Sequence, residues 1–174
     1  MSRSLDKSGL PPIAFPDARA LILGTLPGDQ SLRRQEYYAH PQNQFWRILA
    51  AGFGETITAA TYEQKIALVR RHRLAVWDVL QTAERSGSLD SAIRNQRSND
   101  FVPFLARHPE ISAIAFNGQR AHALFQKCVA PDLVALGRPF TTAVLPSTSP
   151  AYTLPFAAKA AQWQAFIHCI RDTA

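Results

Sequence analysis

The chain has 174 residues, 47% of them hydrophobic, which is enough for one domain with a full core. Nineteen Lys and Arg against 13 Asp and Glu give a net charge of +6 and a pI of about 9.8, a balance that suits polyanions and nucleic acid first. Cys128 and Cys169 lack CxxC spacing, which excludes a four-cysteine metal or iron–sulfur site and leaves two buried, reduced thiols as the expectation.

Met1 to Leu10 carries no apolar core of a signal peptide, and no run approaches membrane-spanning length. A soluble protein of the cytoplasm, lying with the DNA, is the expectation. Residues 1–18 read as a leader, packed on the domain through Ile13 and Phe15, and 19–174 as a single domain. Ala20 to Leu23 is an apolar run stopped by Gly24, the pattern of a buried parallel strand. A long loop follows, dense in aromatic and amide side chains, up to Phe45. There Phe45, Ile48, Leu49 and Phe53 recur at helical spacing, and the helix ends near Gly52-Phe53-Gly54. Thr61 is placed to cap a helix through about His72 with Ile66 and Val69 facing inward. The basic run Arg70-Arg71-His72-Arg73 suits that helix's C-terminus, with a DNA contact as the lesser alternative.

Leu74 to Leu80 reads as a second strand. Short helices are expected over Leu89 to Ile93 and Asp100 to Arg107. Ile111 to Phe116 is the third strand, stopped by Asn117-Gly118. A helix runs from Gln119 to about Val129 with Ala121, Leu124 and Phe125 on one face. A loop from Pro131 to Pro139 leads to the fourth strand, Thr141 to Leu145. A last helix, Phe156 to Arg171, turns Trp163, Phe166 and Ile170 inward. Strands alternating with helices predict an α/β fold, three layers α/β/α around a central, mostly parallel four-stranded sheet.

If the strands are parallel, three strand ends meet along one edge, where open α/β sheets bind ligands. These are Gly24 to Asn43, Asn117-Gly118, and Pro146 to Ala151. The residues there resemble the uracil-DNA glycosylase superfamily, most closely its hypoxanthine-DNA (deoxyinosine) glycosylase branch. The resemblance is carried by Gly-Thr-Leu-Pro-Gly at 24–28 with Ser31-Leu32, and by Tyr-Tyr-Ala-His-Pro-Gln-Asn-Gln-Phe-Trp at 37–46. Trp77-Asp78-Val79-Leu80, Gly87-Ser88-Leu89-Asp90, Phe116-Asn117-Gly118 and Leu145 to Ala151 follow in order.

The resemblance implies an enzyme that flips a damaged base out of DNA, stacks it on an aromatic ring and reads its edge with amides. Tyr38 then is the stacking platform, Thr25 lines the same pocket, and Asn117 presents a donor and an acceptor to the base. Each has a plainer alternative: a ring packed on the core, a turn hydroxyl, an Asn-Gly turn. Most of the superfamily carries Asp or Asn at the third position of the first motif to position the attacking water. Here that position is Leu26, whose alkyl chain can do neither proton transfer nor water binding. In the hypoxanthine-DNA branch the Asn of the His-Pro-x-Asn block takes the catalytic role, which maps to Asn43, with Gln44 beside it and His40 as a secondary candidate. Capping the following helix is the alternative for Asn43, and bracing the loop is the alternative for His40. Asp78, near a strand end where an acid could serve as a base, and Asp90 read first as loop fasteners, with direct catalysis as the lesser alternative.

Ser147, Thr148 and Ser149 suit phosphate contacts or, alternatively, a ligand-free turn. In relatives this loop enters the minor groove; here the small Ala151 stands at the wedge position, where a methyl fills the vacated stack poorly and leaves the plugging to Tyr152 beside it or to a residue elsewhere. No lysine lies in the three segments, which argues against a Schiff-base lyase step, and no ligand cluster calls for a metal. The segment Gly24 to Gly28 has neither the serine of a nucleophile elbow nor the Gly-Lys-Ser/Thr of a phosphate cradle. The expectation is a monomeric, cofactor-free, monofunctional glycosylase acting on double- or single-stranded DNA, hypoxanthine first. Uracil is the rival substrate, and a silent damaged-DNA-binding module is the rival class.

Overall fold

The computed structural model describes residues 5–85, 89, 91 and 93–172. Its centre is a four-stranded parallel sheet in the order β3-β2-β6-β7, built from β2 (Ala20–Gly24), β3 (Leu74–Asp78), β6 (Ala113–Asn117) and β7 (Thr141–Leu145). Every residue of β2 and β3 is buried, so both faces of the sheet centre are covered, as the continuous apolar runs require. The covering helices are α2 (Phe45–Gly52), α3 (Tyr62–Arg71), α4 (Phe101–Arg107), α5 (Gln119–Cys128) and α7 (Phe156–Asp172). The three-layer α/β expectation is met. Helices α2 and α7 pack together so closely that a Cβ on Gly52 would strike Ile167 Cδ1.

Local chemistry sets the element ends. Thr61 caps α3 with a reciprocal pair, its hydroxyl accepting from Gln64 N–H and the Gln64 side chain accepting from Thr61 N–H. The basic run after it is used internally. Arg71 and His72 pair with Glu55, Arg73 reaches Glu110 at 2.8 Å, and Arg70 lies over the Phe15 ring.

Four differences from the sequence reading stand out. The run Leu74 to Leu80 is not one strand: β3 stops at Asp78, and from Leu80 the chain becomes β4 (Leu80–Arg85) in a second sheet. That sheet is antiparallel, order β1-β4-β5, with β1 (Leu5–Ser8) and β5 (Arg94–Ser98) on either side. Its outer strands, Leu-Asp-Lys-Ser and Arg-Asn-Gln-Arg-Ser, are too polar to show a strand pattern, and pairing decides their state. Short helices also interrupt two expected loops: α1 (Asp29–Arg34) and α6 (Ala130–Leu133), the latter running into a 3₁₀ turn, Val134–Leu136. Finally, neither cysteine is buried, Cys128 being half-buried and Cys169 exposed. The helix expected over Leu89 to Ile93, and with it Asp90, lies outside the described residues save Leu89, Ser91 and Ile93.

Candidate active site

The parallel registers bring Gly24 opposite Asp78 and Asn117 opposite Leu145, so the strand ends form one edge. Beyond that edge the chain leaving β3 stays paired with the chain leaving β2. Val79 N–H donates to Gly24 O at 2.9 Å and Leu80 N–H to Thr25 O at 3.0 Å. Gly24 has no room for a side chain: a Cβ there would overlap Asp78 Oδ1 and come within 2.9 Å of the Tyr38 hydroxyl. The floor of the site is therefore Gly24 with Asp78 and Tyr38 closing over it.

The long loop is tied across its width. Ser31 Oγ accepts Ala39 N–H at 3.1 Å, Trp46 Nε1–H donates to Tyr37 O at 2.9 Å, and the buried Tyr37 hydroxyl donates to Leu10 O. Burial, with the Asp78 and Tyr38 charges adding to it, pushes the Tyr37 hydroxyl well above its ordinary pKa, so it stays a neutral donor. Tyr38 has φ +53°, a left-handed conformation that strains a bulky residue by roughly 1–3 kcal/mol. The ring gains a stack in return, parallel to Phe45 at 3.9 Å between centroids, with Trp163 edge-on behind Phe45.

His40 Nδ1 accepts Gln42 N–H at 3.1 Å, and its carbonyl accepts Asn43 N–H at 2.9 Å. Asn43 Oδ1 accepts Phe45 N–H at 3.0 Å at the start of α2, and the residue also lines the pocket. Gln44 is not on the pocket wall. Its backbone N–H donates to Thr148 O at 3.0 Å, joining two of the site's loops.

The third strand end is joined to the fourth by one side chain. Asn117 Oδ1 accepts Thr148 N–H and its Nδ2 donates to Thr148 Oγ1, both at 2.9 Å. Thr148 is 0% exposed, so its hydroxyl braces Asn117 and has no surface to offer a phosphate. Ser147 and Ser149 are the hydroxyl-bearing neighbours on the pocket wall. Gly118 (φ +104°) packs against Ser147, whose Cβ would lie 3.2 Å from an added Cβ.

Four residues to which the sequence reading gave no site role surround or support the site. Arg85, 1% exposed on β4, donates its guanidinium to the carbonyls of Leu26 and Pro27 behind the first motif. Lys7 on β1 pairs with Asp29 at the start of α1. Lys159 on α7 is buried beneath residues 149–152, and that burial lowers its pKa. Leu89, 58% exposed, reaches the pocket mouth from the β4–β5 connection. The strands carrying Arg85 and Lys7 were invisible in the sequence, and a lone lysine in the first turn of a helix reads as solvated.

Lys7, first of all causes, holds the Asp29 carboxyl below its ordinary pKa of 3.8. The ion pair therefore contributes fully above that value, and its contribution is lost as pH falls through the lower folded pKa. Acidification through this window is expected to raise amide hydrogen exchange along β1 before the parallel sheet opens. In Lys7→Met the same exchange should be raised at neutral pH and insensitive to this titration.

Together these elements enclose a pocket of about 410 Å³, lined by Gly24 to Ser31, Tyr37, Tyr38, His40, Asn43, Asp78, Leu89, Asn117 and 147–152. Its size suits a single nucleobase or nucleoside. Among the described residues no group of His, Cys, Asp or Glu is arranged to hold a metal ion, and no helix is long and apolar enough to cross a membrane.

The uracil DNA glycosylase superfamily matches the chain over residues 11–172. Two curated relatives carry the name hypoxanthine DNA glycosylase. One, from Methanosarcina acetivorans, is 35% identical over 159 residues, and the other, from Methanosarcina barkeri, is 31% identical over the same length. Each alignment covers 91% of this chain and 96% of the relative. A solution NMR structure of a candidate uracil DNA glycosylase from Methanosarcina acetivorans superposes with a TM-score of 0.81 at 34% identity, covering 96% of this chain and 99% of that one.

Proposed function

The chain belongs to the uracil DNA glycosylase superfamily, and from that premise we propose that it is a monofunctional DNA glycosylase that hydrolyses the N-glycosidic bond of hypoxanthine in DNA and leaves an abasic site. It acts as a monomer on DNA of either strandedness. The observation that carries this reading is the pocket wall. An aromatic ring, Tyr38, has one face already stacked on Phe45, and two side-chain amides, Asn43 and Asn117, line the same cavity.

A flipped base lies on the outer face of Tyr38, where stacking is worth about 1–3 kcal/mol and does not depend on which base it is. Thr25 lines the wall beside it. Thr148 takes one hydrogen of Asn117 Nδ2 and one lone pair of Oδ1, which leaves a donor and an acceptor for the base edge. Thr148 thus fixes the amide's orientation, while Ser147, Ser149 and Tyr152 face the DNA.

Breaking the bond builds positive charge on the sugar and negative charge on the departing base. Leu26 cannot orient water, so this task falls to Asn43, whose Nδ2 and second Oδ1 lone pair are not used by the Phe45 cap. His40, whose Nδ1 accepts Gln42 N–H, lines the same pocket and is the secondary candidate for moving a proton. Gln44 supports the site through its backbone link to Thr148. The names of the curated relatives favour hypoxanthine over uracil as the base.

The test is single-turnover reaction of end-labelled duplexes carrying one hypoxanthine or one uracil, followed by alkali. Cleavage at hypoxanthine is expected. Cleavage mainly at uracil would move the substrate to the rival base, and binding without any alkali-labile product would leave a silent binding module.

A further inference from the structure

Residues 146–152 are held from inside the protein at nearly every step. Trp163 Nε1–H donates to Pro146 O at 2.9 Å, Thr148 is bonded to Asn117 and Gln44, and Ala151 N–H donates to Ser149 Oγ at 3.2 Å. Residues 149–152 close a turn, Tyr152 N–H donating to Ser149 O at 3.1 Å, with Pro150 in the second position where its fixed φ suits a turn. Lys159 Nζ grips both ends of that turn, donating to Tyr152 O at 2.6 Å and Ser149 O at 3.4 Å. Its ammonium also lies 5.3 Å from the Tyr152 ring centroid. Lys159 and Trp163 are four residues apart, so one face of α7 supplies both anchors.

A lysine that is 1% exposed is expensive to bury unless its donors are used, and here they are used on backbone carbonyls of the loop that faces DNA. Tyr152 is the opposite case: a large ring left 48% exposed at the pocket mouth, next to the small Ala151. We propose that Lys159 is a positioning residue, fixing the 149–152 turn so that the Tyr152 ring fills the space a flipped nucleotide vacates. The proposal rests on the glycosylase reading above. It assigns the wedge to Tyr152 and its setting to a buried cation on the last helix.

A wedge matters for a duplex, where a stack must be refilled, and not for a single strand. Affinities are therefore measured for a hypoxanthine-containing duplex and for the same strand alone, with 2-aminopurine beside the lesion reporting unstacking by fluorescence. Lys159→Met and Tyr152→Ala should each lower the duplex-to-single-strand affinity ratio roughly tenfold, the scale of one lost base–aromatic stack. Both should lose the fluorescence gain, the double variant should be no worse than the weaker single one, and Lys159→Arg should recover most of the ratio.

Equal losses on both DNA forms would make Lys159 a fold residue and overturn the proposal. So would independent, multiplying losses in the double variant, or a loss in Leu89→Ala in place of Tyr152→Ala. If Lys159→Met does not fold, Tyr152→Ala decides alone, because an unchanged ratio in that exposed-ring variant also overturns it. These readouts need no base release. A wild type that binds and unstacks but releases nothing would fail the glycosylase reading and leave the wedge assignment standing.

Discussion

Asn43→Ala is expected to slow single-turnover release of hypoxanthine by about 10²–10⁴-fold while duplex affinity changes little, the range for losing one positioned proton-transfer or charge-stabilising group. The residue lines the pocket, and Leu26 at the exit of β2 offers nothing that could substitute for it. Alanine also removes the acceptor for Phe45 N–H, a helix-start bond worth about 1 kcal/mol, so a modest drop in Tm should accompany the rate loss. Asn43→Asp separates the two effects. A carboxylate keeps the acceptor and can itself hold water, so Tm should be retained along with part of the rate. Gln44→Ala, whose side chain is off the pocket wall, should cost less than tenfold. Wild-type rates in both Asn43 variants would place the water-positioning group elsewhere.

The second large effect is expected for Gly24→Ala, which should abolish measurable base release and destabilise the protein by about 1–3 kcal/mol, the usual range for overpacking. The added methyl meets Asp78 Oδ1 and the Tyr38 hydroxyl. Asp78 is only 4% exposed and has little freedom to retreat, and moving Tyr38 would break its stack on Phe45. Replacing glycine by alanine also restricts the unfolded chain, which favours folding by about 0.4–1 kcal/mol, too little to offset the clash. Thermal unfolding and single-turnover assays on one preparation check both halves. A variant as stable and as active as wild type would mean that Asp78 and Tyr38 are not fixed over Gly24.

Two strands of the parallel sheet were legible as apolar runs ended by Gly24 or by Asn117-Gly118, and its helices because Val69, Leu124 and Trp163 fall on buried faces at helical spacing. Thr61 announced its own helix. The antiparallel sheet was not legible: Arg94 to Ser98 has no apolar residue, and Leu80 to Arg85 continued a run that looked like a single strand. With that sheet went Arg85 and Lys7, whose partners are 58–59 and 22 residues away in sequence. In the site, the pocket-lining positions of Tyr38, Asn43 and Asn117 followed from the family resemblance, since the residues alone favoured a packed ring for Tyr38 and a turn for Asn117. The burial of Thr148 did not, since a Ser-Thr-Ser loop reads as exposed until the Asn117 amide is seen closing on it. Nor did the sequence separate Asn43, on the pocket wall, from Gln44, off it; one residue at a helix start decides which side chain faces in.

A loop anchored by Trp163, Asn117, Gln44 and Lys159 has little conformational freedom left to lose when DNA arrives. Where that DNA is a duplex, the partner that must deform is the duplex, and its deformation energy depends on which base steps flank the lesion. Pyrimidine–purine neighbours such as TA and CA unstack most readily. Repair should therefore run faster beside them than within stiff A-tracts, a sequence preference written in the flexibility of the substrate and read by no side chain of the enzyme.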